Sequence, residues 1–263
     1  MTTESLPVVL LVGGAGSRME VGTSGIPKPL VDVGGHPILW HVMKLYAHHG
    51  HKEFMFPLGY KGEAFRRYFL EYQALTQDVS FNLGSPDQRV YHEYGNEAEW
   101  EVTLFDAGLV TDKGARVRQA AERLQAQTFF VTYGDGIGDI DLESLYTFHR
   151  SHGKLGTLTG FQPFSQYGMV DANKEGVVHQ LKEKPRMSQW INAGFFVFER
   201  GVLDYLSSDQ VELEQQALPK LAADGQLMMY RHKGFWASMD TFKDAQYLNE
   251  AWETSAPWKV WND

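Results

Sequence analysis

The chain has 263 residues, 43% hydrophobic and 22% charged, with a formal net charge of −9 and no cysteine. These values describe a soluble globular protein long enough for a substantial core, and they exclude disulfides and thiolate metal sites. With no cluster of five or more Lys/Arg they also argue against a nucleic-acid binder, and any anionic ligand must be held by a few local cations, with or without a metal ion.

No apolar run approaches the roughly 20 residues of a membrane span. Residues 1–7 lack the basic and apolar regions of a signal peptide, so a cytoplasmic protein is expected. The seven Trp, twelve Tyr and sixteen Phe fit a large core, with a minority left for a pocket.

In chain order, PVVLLVGG is a continuous apolar run ending in glycines, as in a buried parallel strand entering a turn. ILWHVMKLYAHHG has helical spacing and a glycine stop at Gly50. EFMFPLGY predicts a second strand and GEAFRRYFLEYQAL a second helix, an alternation that points to an α/β sheet with right-handed crossovers. VSFNLG, RVYHEY and EVTLFDAG predict short strands, ARVRQAAERLQA a helix, and TFFVTYGDGIG an apolar strand. LESLYTFHRSHG then predicts a helix, LGTLTGFQ a strand, and GMVDANKEGVVHQLKEKP an outlying hairpin. WINAGFFVFER is strand-like, GVLDYL and ALPKLAADG helical, QLMMYRH a strand, and DTFKDAQYLNEAWET a closing helix. With no linker and no internal repeat, residues 1–263 are expected to form one domain with inserted β elements.

Several stretches carry residues suited to chemistry. GGAGSR, Gly13 to Arg18, follows the first strand, and its glycines let backbone N–H groups approach an anion. The dinucleotide pattern fails because Met19 stands three residues after Gly16, and no G-K-[ST] follows. Alone, the turn fits an ordinary strand-to-helix connection equally well. Lys28 lies between Pro27 and Pro29, which fix φ on both sides and make a stiff segment, although an isolated P-K-P also fits a solvated turn. Asp135 ends an apolar strand between two glycines, at the sheet edge where α/β proteins bind ligands. A carboxylate there, near a phosphate loop, suits a bridging divalent cation such as Mg²⁺. Asp139 and Asp141 suit capping of the next helix. Asp240, in GFWASMDTF, offers a second carboxylate, but its spacing by itself suits the N-cap of the last helix. Glu183 and Lys184 stand before a proline, fit for a phosphosugar or for a solvated hairpin tip, and Asn192 heads a strand. His48, His49 and His51, at a helix end, suit the helix dipole as cations better than they suit metal ligation. The set holds no zinc-hydrolase or serine-nucleophile motif.

The ordered set GGAGSR, PKPL, YGDG, EKP, INAGFF and GFWASMDT resembles the sugar-1-phosphate nucleotidylyltransferases, most closely their glucose-1-phosphate cytidylyltransferase branch. The likeness runs from LVGGAGSR to APWKVW, nearly the whole chain. It implies a Rossmann-like α/β fold with a mixed, mostly parallel sheet flanked by helices. It also implies Mg²⁺-dependent reaction of CTP with a sugar 1-phosphate, α-D-glucose 1-phosphate above all, to give CDP-sugar and pyrophosphate. Arg18, Lys28 and Asp135 are implied as catalytic. Nucleotide contacts are implied at Leu11, Gly13, Gly14, Ala15, Gly16, Ser17, Arg18, Lys28, Gly108, Arg116 and Asp135. Sugar-phosphate contacts are implied at Tyr133, Gly168, Glu183, Lys184, Asn192 and Asp240, and the metal on Asp135 and Asp240. A homo-oligomer with no nucleic-acid or membrane partner is also implied.

Five positions depart from the family wording. Ile26 replaces a lysine, Ala107 a threonine, Ala193 a glycine, and Ala237 and Ser238 a longer polar residue and a proline. They leave the sugar phosphate, or another phosphorylated acceptor, open. UTP or dTTP in place of CTP is the enzyme alternative, and a nucleotide or sugar-nucleotide sensor the non-enzyme one.

Overall fold

The computed structural model describes residues 5–13, 25–92, 95, 97–206 and 210–262. Ten strands matter for the site. They are β1 (Val8–Leu11), β2 (Glu53–Leu58), β3 (Glu101–Asp106), β4 (Thr128–Tyr133), β5 (Gly136–Gly138), β6 (Gly156–Phe161), β7 (Ile191–Asn192), β8 (Phe196–Glu199), β9 (Leu227–Arg231) and β10 (Trp236–Ser238). The main sheet runs β7–β6–β8–β4–β1–β2–β3, with β9 also paired to β6. β1 is parallel to β2 and β4, β2 to β3, and β6 to β9. β8 runs antiparallel between β4 and β6, and β7 antiparallel to β6. The sheet is therefore mixed and mostly parallel, as expected, because the crossovers after β1 and β2 return each strand in the same direction.

The helices used below are α1 (Ile38–His48), α2 (Gly62–Leu70), α3 (Lys113–Arg123), α4 (Leu142–His152), α5 (Leu218–Ala223) and α6 (Phe242–Thr254). Side-chain alternation divides the apolar strands between two faces. Val8, Leu10, Phe54, Phe56 and Phe130 pack with Ile38, Val42 and Leu45 of α1, Leu248 of α6 and the terminal Trp258. Val9, Leu11, Met55, Phe129 and Val131 pack with Val117 and Ala120 of α3 and Leu221 of α5. Both faces are covered, which is why the strands read as unbroken apolar runs. Each fully buried Phe or Leu contributes roughly 1.5–3 kcal/mol.

Some local expectations change. The second helix breaks at Glu71 into α2 and a short turn, Tyr72–Thr76, which buries no residue and so gains little from packing. GVLDYL forms a 3₁₀ helix over Arg200–Tyr205, and a π turn at Leu213–Ala217 precedes α5. The hairpin pairs Met169–Ala172 with Val178–Lys182 as expected. His51 is not a cation at the helix end. It is fully buried, its Nδ1 accepts from the Leu6 N–H at 3.1 Å, and burial lowers its pKa to about 4. Among the described residues no helix is long and apolar enough to cross a membrane.

Candidate active site

The register sets Leu11 beside Tyr133, so β1 and β4 end together. β1 pairs with β2 on one side and β4 on the other, which makes this the point where strand order reverses and where α/β sheets place ligands. The Leu11 carbonyl accepts from Gly134 N–H at 3.2 Å. A Cβ at Gly134 would lie 2.7 Å from Val12 Cγ1 and 3.2 Å from Pro29 Cβ. The bare glycine therefore lets the proline-braced segment lie directly on the strand ends. That segment is a single 3₁₀ turn, Lys28–Leu30, with Pro29 buried and Leu30 N–H donating to Pro27 O at 2.8 Å.

The turn delivers Lys28. Its Nζ lies 2.9 Å from Asp135 Oδ2 and 2.8 Å from Asp240 Oδ1, joining two carboxylates far apart in sequence. Burial pulls the Lys28 pKa down, but the Asp135 charge and hydrogen bonds to both carboxylates outweigh it, so the ammonium is held above its ordinary value. Asp135 and Asp240 are brought together by the ribbon of β5 and β10, which pairs Gly136 with Ser238, and by Met239 N–H donating to Asp135 O at 2.9 Å. Ser238 Oγ donates to Asp240 Oδ2 at 3.0 Å. Ser238, a departure from the family wording, thus supports the carboxylate.

Two capping expectations need correction. The N-cap of α6 is Thr241, in a capping box with Asp244, and Asp240 turns its carboxylate to Lys28 instead. Asp141 caps α4, but Asp139 accepts from Phe235 N–H at 2.6 Å and lies 3.0 Å from His232 Nε2, holding a neighbouring turn.

Arg116, on α3, is 2% exposed. Its guanidinium donates to the carbonyls of Thr111 at 2.9 Å, Pro57 at 3.1 Å and Gly108 at 2.7 Å. A Cβ on Gly13 would sit 2.9 Å from Arg116 Nη1, and one on Gly59 2.3 Å from Nη2. Arg116 thus lies under Gly13, where the chain enters the glycine loop. Gly108 takes a left-handed backbone, φ +95°, that brings its carbonyl to Arg116. The loop residues Gly14, Ala15, Gly16, Ser17 and Arg18 lie outside the described residues.

The residues expected to touch a sugar phosphate fall into two groups. Tyr133 Oη accepts from Asn192 Nδ2 at 3.4 Å, and Asn192 Oδ1 accepts from Gly194 N–H at 3.1 Å. Gly168 and Glu183 face each other across the outlying hairpin, since a Cβ at Gly168 would lie 2.9 Å from Glu183 Oε2. Lys184 beside them takes φ +43°, a strained backbone for a non-glycine residue. Ala193 is 2% exposed, and its carbonyl accepts from Trp236 Nε1 at 2.9 Å. Ala107 is buried, so the hydroxyl it lacks would have been an interior group, whereas Ile26 is 49% exposed.

Two residues beside this group had no signal in the sequence. Tyr133 Oη donates to Glu214 Oε1 at 2.5 Å, and Lys113 Nζ lies 2.6 Å from the same oxygen. Burial pushes the Glu214 carboxyl up, but Lys113 and Tyr133 outweigh it and hold it below the ordinary range. Burial and then the Glu214 charge push the Tyr133 hydroxyl up, so the proton stays on the tyrosine. Glu214 is 81 residues from Tyr133 in sequence, on a π turn that no periodicity announces.

Chemically, the strand ends present one buried-stemmed ammonium and two carboxylates aimed at the same point. Among the described residues no cluster of three or more His, Cys, Asp or Glu is poised for a metal. A cation held by these two carboxylates would lie beside the Lys28 ammonium and complete its shell from ligand oxygens and water, which is the habit of Mg²⁺.

The model of the nucleotidyl transferase family matches residues 7–263. The glucose-1-phosphate cytidylyltransferases of Salmonella typhimurium and Salmonella typhi are each 40% identical over 259 residues, covering 97% of this chain and 100% of theirs. Among solved structures, HddC from Yersinia pseudotuberculosis, crystallised with GMP-PN, superposes with a TM-score of 0.67 at 21% identity. That match covers 94% of this chain and 99% of HddC, and it shows the shared fold.

Proposed function

The chain belongs to the nucleotidyl transferase family, and on that premise we propose that it joins CTP to α-D-glucose 1-phosphate, giving CDP-glucose and pyrophosphate. The observation that carries the site is the convergence of Lys28, Asp135 and Asp240 where β1 and β4 end. The choice of CTP and of a glucosyl acceptor rests on the 40% identity to two enzymes of that name over nearly all of both chains.

The reaction asks for positioning and charge neutralisation. An oxygen of the sugar phosphate attacks the α-phosphorus of CTP, a new P–O bond forms, and the bond to the β-phosphate oxygen breaks. The nucleophile is already an anion, so no general base is required, and the work is to bring two anions together. Lys28 is held cationic beside the carboxylates and places its charge where the triphosphate approaches. We assign Gly13 to Arg18 to the phosphates. Arg116 is held beside Gly13 by its bonds to the carbonyls of Thr111, Pro57 and Gly108. We assign Tyr133, Asn192, Gly168, Glu183 and Lys184 to the sugar phosphate. Asp135 and Asp240 would hold Mg²⁺, which supplies a Lewis acid for phosphate oxygens.

We further take residues 1–263 as one domain, acting in the cytoplasm as a homo-oligomer. The hairpin of Met169–Ala172 and Val178–Lys182 exposes Met169, Val170, Val178 and Leu181, each more than half accessible, and supports the oligomer. The test is incubation with CTP, glucose 1-phosphate and Mg²⁺, followed by mass detection of CDP-glucose. Matched CDP-glucose and pyrophosphate, abolished by chelator, are expected. A nucleotide bound without turnover would overturn the assignment.

A further inference from the structure

Asn192 has an amide whose orientation decides what it offers a ligand. Its Oδ1 is occupied by Gly194 N–H at 3.1 Å, and one Nδ2 hydrogen is used on Tyr133 Oη at 3.4 Å. Tyr133 can accept that hydrogen because its own hydroxyl proton points elsewhere, to Glu214 Oε1 at 2.5 Å. Glu214 is in turn fixed by Lys113, whose Nζ lies 2.6 Å from the same oxygen and 5.8 Å from the centre of the Tyr133 ring. The four side chains make one directional line, Lys113 to Glu214 to Tyr133 to Asn192. A carboxylate cannot donate, so the hydroxyl has one orientation, and together with Gly194 N–H it fixes the asparagine flip.

The backbone keeps Asn192 at the end of this line. Gly194 takes φ +79°, and a Cβ there would lie 2.8 Å from the Tyr133 ring. Phe195 follows in a left-handed conformation, φ +46°, with its side chain fully buried. The turn is held at its base by Ala193 N–H donating to Thr159 O at 2.9 Å. Asn192 itself is exposed, and its Nδ2 carries a second hydrogen beyond the one used on Tyr133.

We propose that Glu214 is a positioning residue for the acceptor: acting through Tyr133, it fixes Asn192 as a hydrogen-bond donor toward a hydroxyl of the sugar 1-phosphate. This rests on the proposed assignment of that substrate. Glu214 itself need not touch the sugar, and it sets the polarity of the recognition. The acceptor must present a lone pair at this point, so a sugar phosphate lacking that hydroxyl loses the contact.

The test is steady-state kinetics of wild type, Glu214→Leu, Tyr133→Phe, Asn192→Ala and the double variant Glu214→Leu/Asn192→Ala. Glucose 1-phosphate and its deoxy analogues serve as acceptors. Leucine at 214 removes the acceptor of the Tyr133 proton and frees the hydroxyl to turn, and phenylalanine removes the middle of the line. Each change is expected to raise KM for glucose 1-phosphate about fivefold or more, the loss of one hydrogen bond. KM for CTP and the melting temperature should stay near wild type. The double variant should be no worse than Asn192→Ala, and one deoxy analogue should be insensitive to all the changes. Equal rises in both KM values, effects that multiply in the double variant, or deoxy analogues all as sensitive as glucose 1-phosphate would overturn the proposal. Wild type that turns over no sugar 1-phosphate with CTP would instead overturn the substrate assignment beneath it.

Discussion

Replacing Lys28 by methionine keeps most of the side chain's length and removes its charge from between Asp135 and Asp240. The two carboxylate oxygens, 2.9 and 2.8 Å from Nζ, are then left facing each other. They lie within about 6 Å, where two negative charges repel by about 3 kcal/mol at an effective dielectric of 20. Asp240 is 45% exposed, so solvent screening brings the cost toward about 1 kcal/mol. At about 2–4 °C per kcal/mol for a chain of this size, melting should fall by only a few degrees. The effect on turnover should be far larger. Removing a charge aimed at a developing oxyanion costs about 10²–10³ in rate. Two measurements separate these effects. Thermal melting with and without Mg²⁺ should show the cation stabilising the variant more than wild type, because it replaces the lost positive charge between the carboxylates. Pyrophosphate release should stay low at every Mg²⁺ concentration. Normal turnover in the variant, or melting indifferent to Mg²⁺, would refute the assignment of Lys28 and the carboxylates to one electrostatic centre.

Other substitutions probe the supports of that centre. Asp135→Asn should sharply reduce Mg²⁺-dependent turnover with little change in melting, and unchanged turnover would remove Asp135 from the site. Gly134→Ala places a Cβ 2.7 Å from Val12 and 3.2 Å from Pro29; overpacking of this kind costs about 1–3 kcal/mol. It should shift the Lys28 turn and lower both kcat and the urea midpoint. Arg116→Lys cannot satisfy the carbonyls of Thr111, Pro57 and Gly108 together. It should lower stability by roughly 2 kcal/mol and raise KM for CTP, leaving KM for the sugar phosphate near wild type. Acid should also destabilise the fold. His41 and His51 are buried with pKa values of about 4 against 6.5 unfolded. The unfolded chain therefore binds more protons between those values, and stability is lost as pH falls through that window. Each group contributes a slope of about 1.4 kcal/mol per pH unit. Urea midpoints from pH 7 to pH 4.5 should follow it, and His41→Gln should flatten the curve.

The strands and the sheet edge were legible because they depend on local pattern. PVVLLVGG and TFFVTYGDG read as apolar runs since both sheet faces are covered, and each ends in glycines. What sequence could not supply was the meeting of distant groups. Asp240 looks like a helix cap until Thr241 is seen to do the capping, and only the β5–β10 ribbon shows why Asp240 reaches Lys28. Arg116 looks like a phosphate ligand on a helix, yet its donors are turned to three backbone carbonyls beneath Gly13. Asp139, expected at a helix start, is engaged by His232 and Phe235 from the turn between β9 and β10. Glu214 carries no local pattern, and the tyrosine it meets comes from β4, far away in sequence. The five departures also sort by placement. Ala107 and Ala193 are interior changes, Ser238 supports Asp240, Ile26 is exposed, and Ala237 lies in the ribbon opposite Ile137.

The most direct test is pyrophosphate release with Mg²⁺, crossing CTP, UTP, dTTP, ATP and GTP against a panel of sugar 1-phosphates. Strong release is expected with CTP and glucose 1-phosphate, and far less with every other pair. Release with UTP or dTTP in preference to CTP would contradict the nucleotide assignment, and no release with any pair would contradict the enzyme assignment itself.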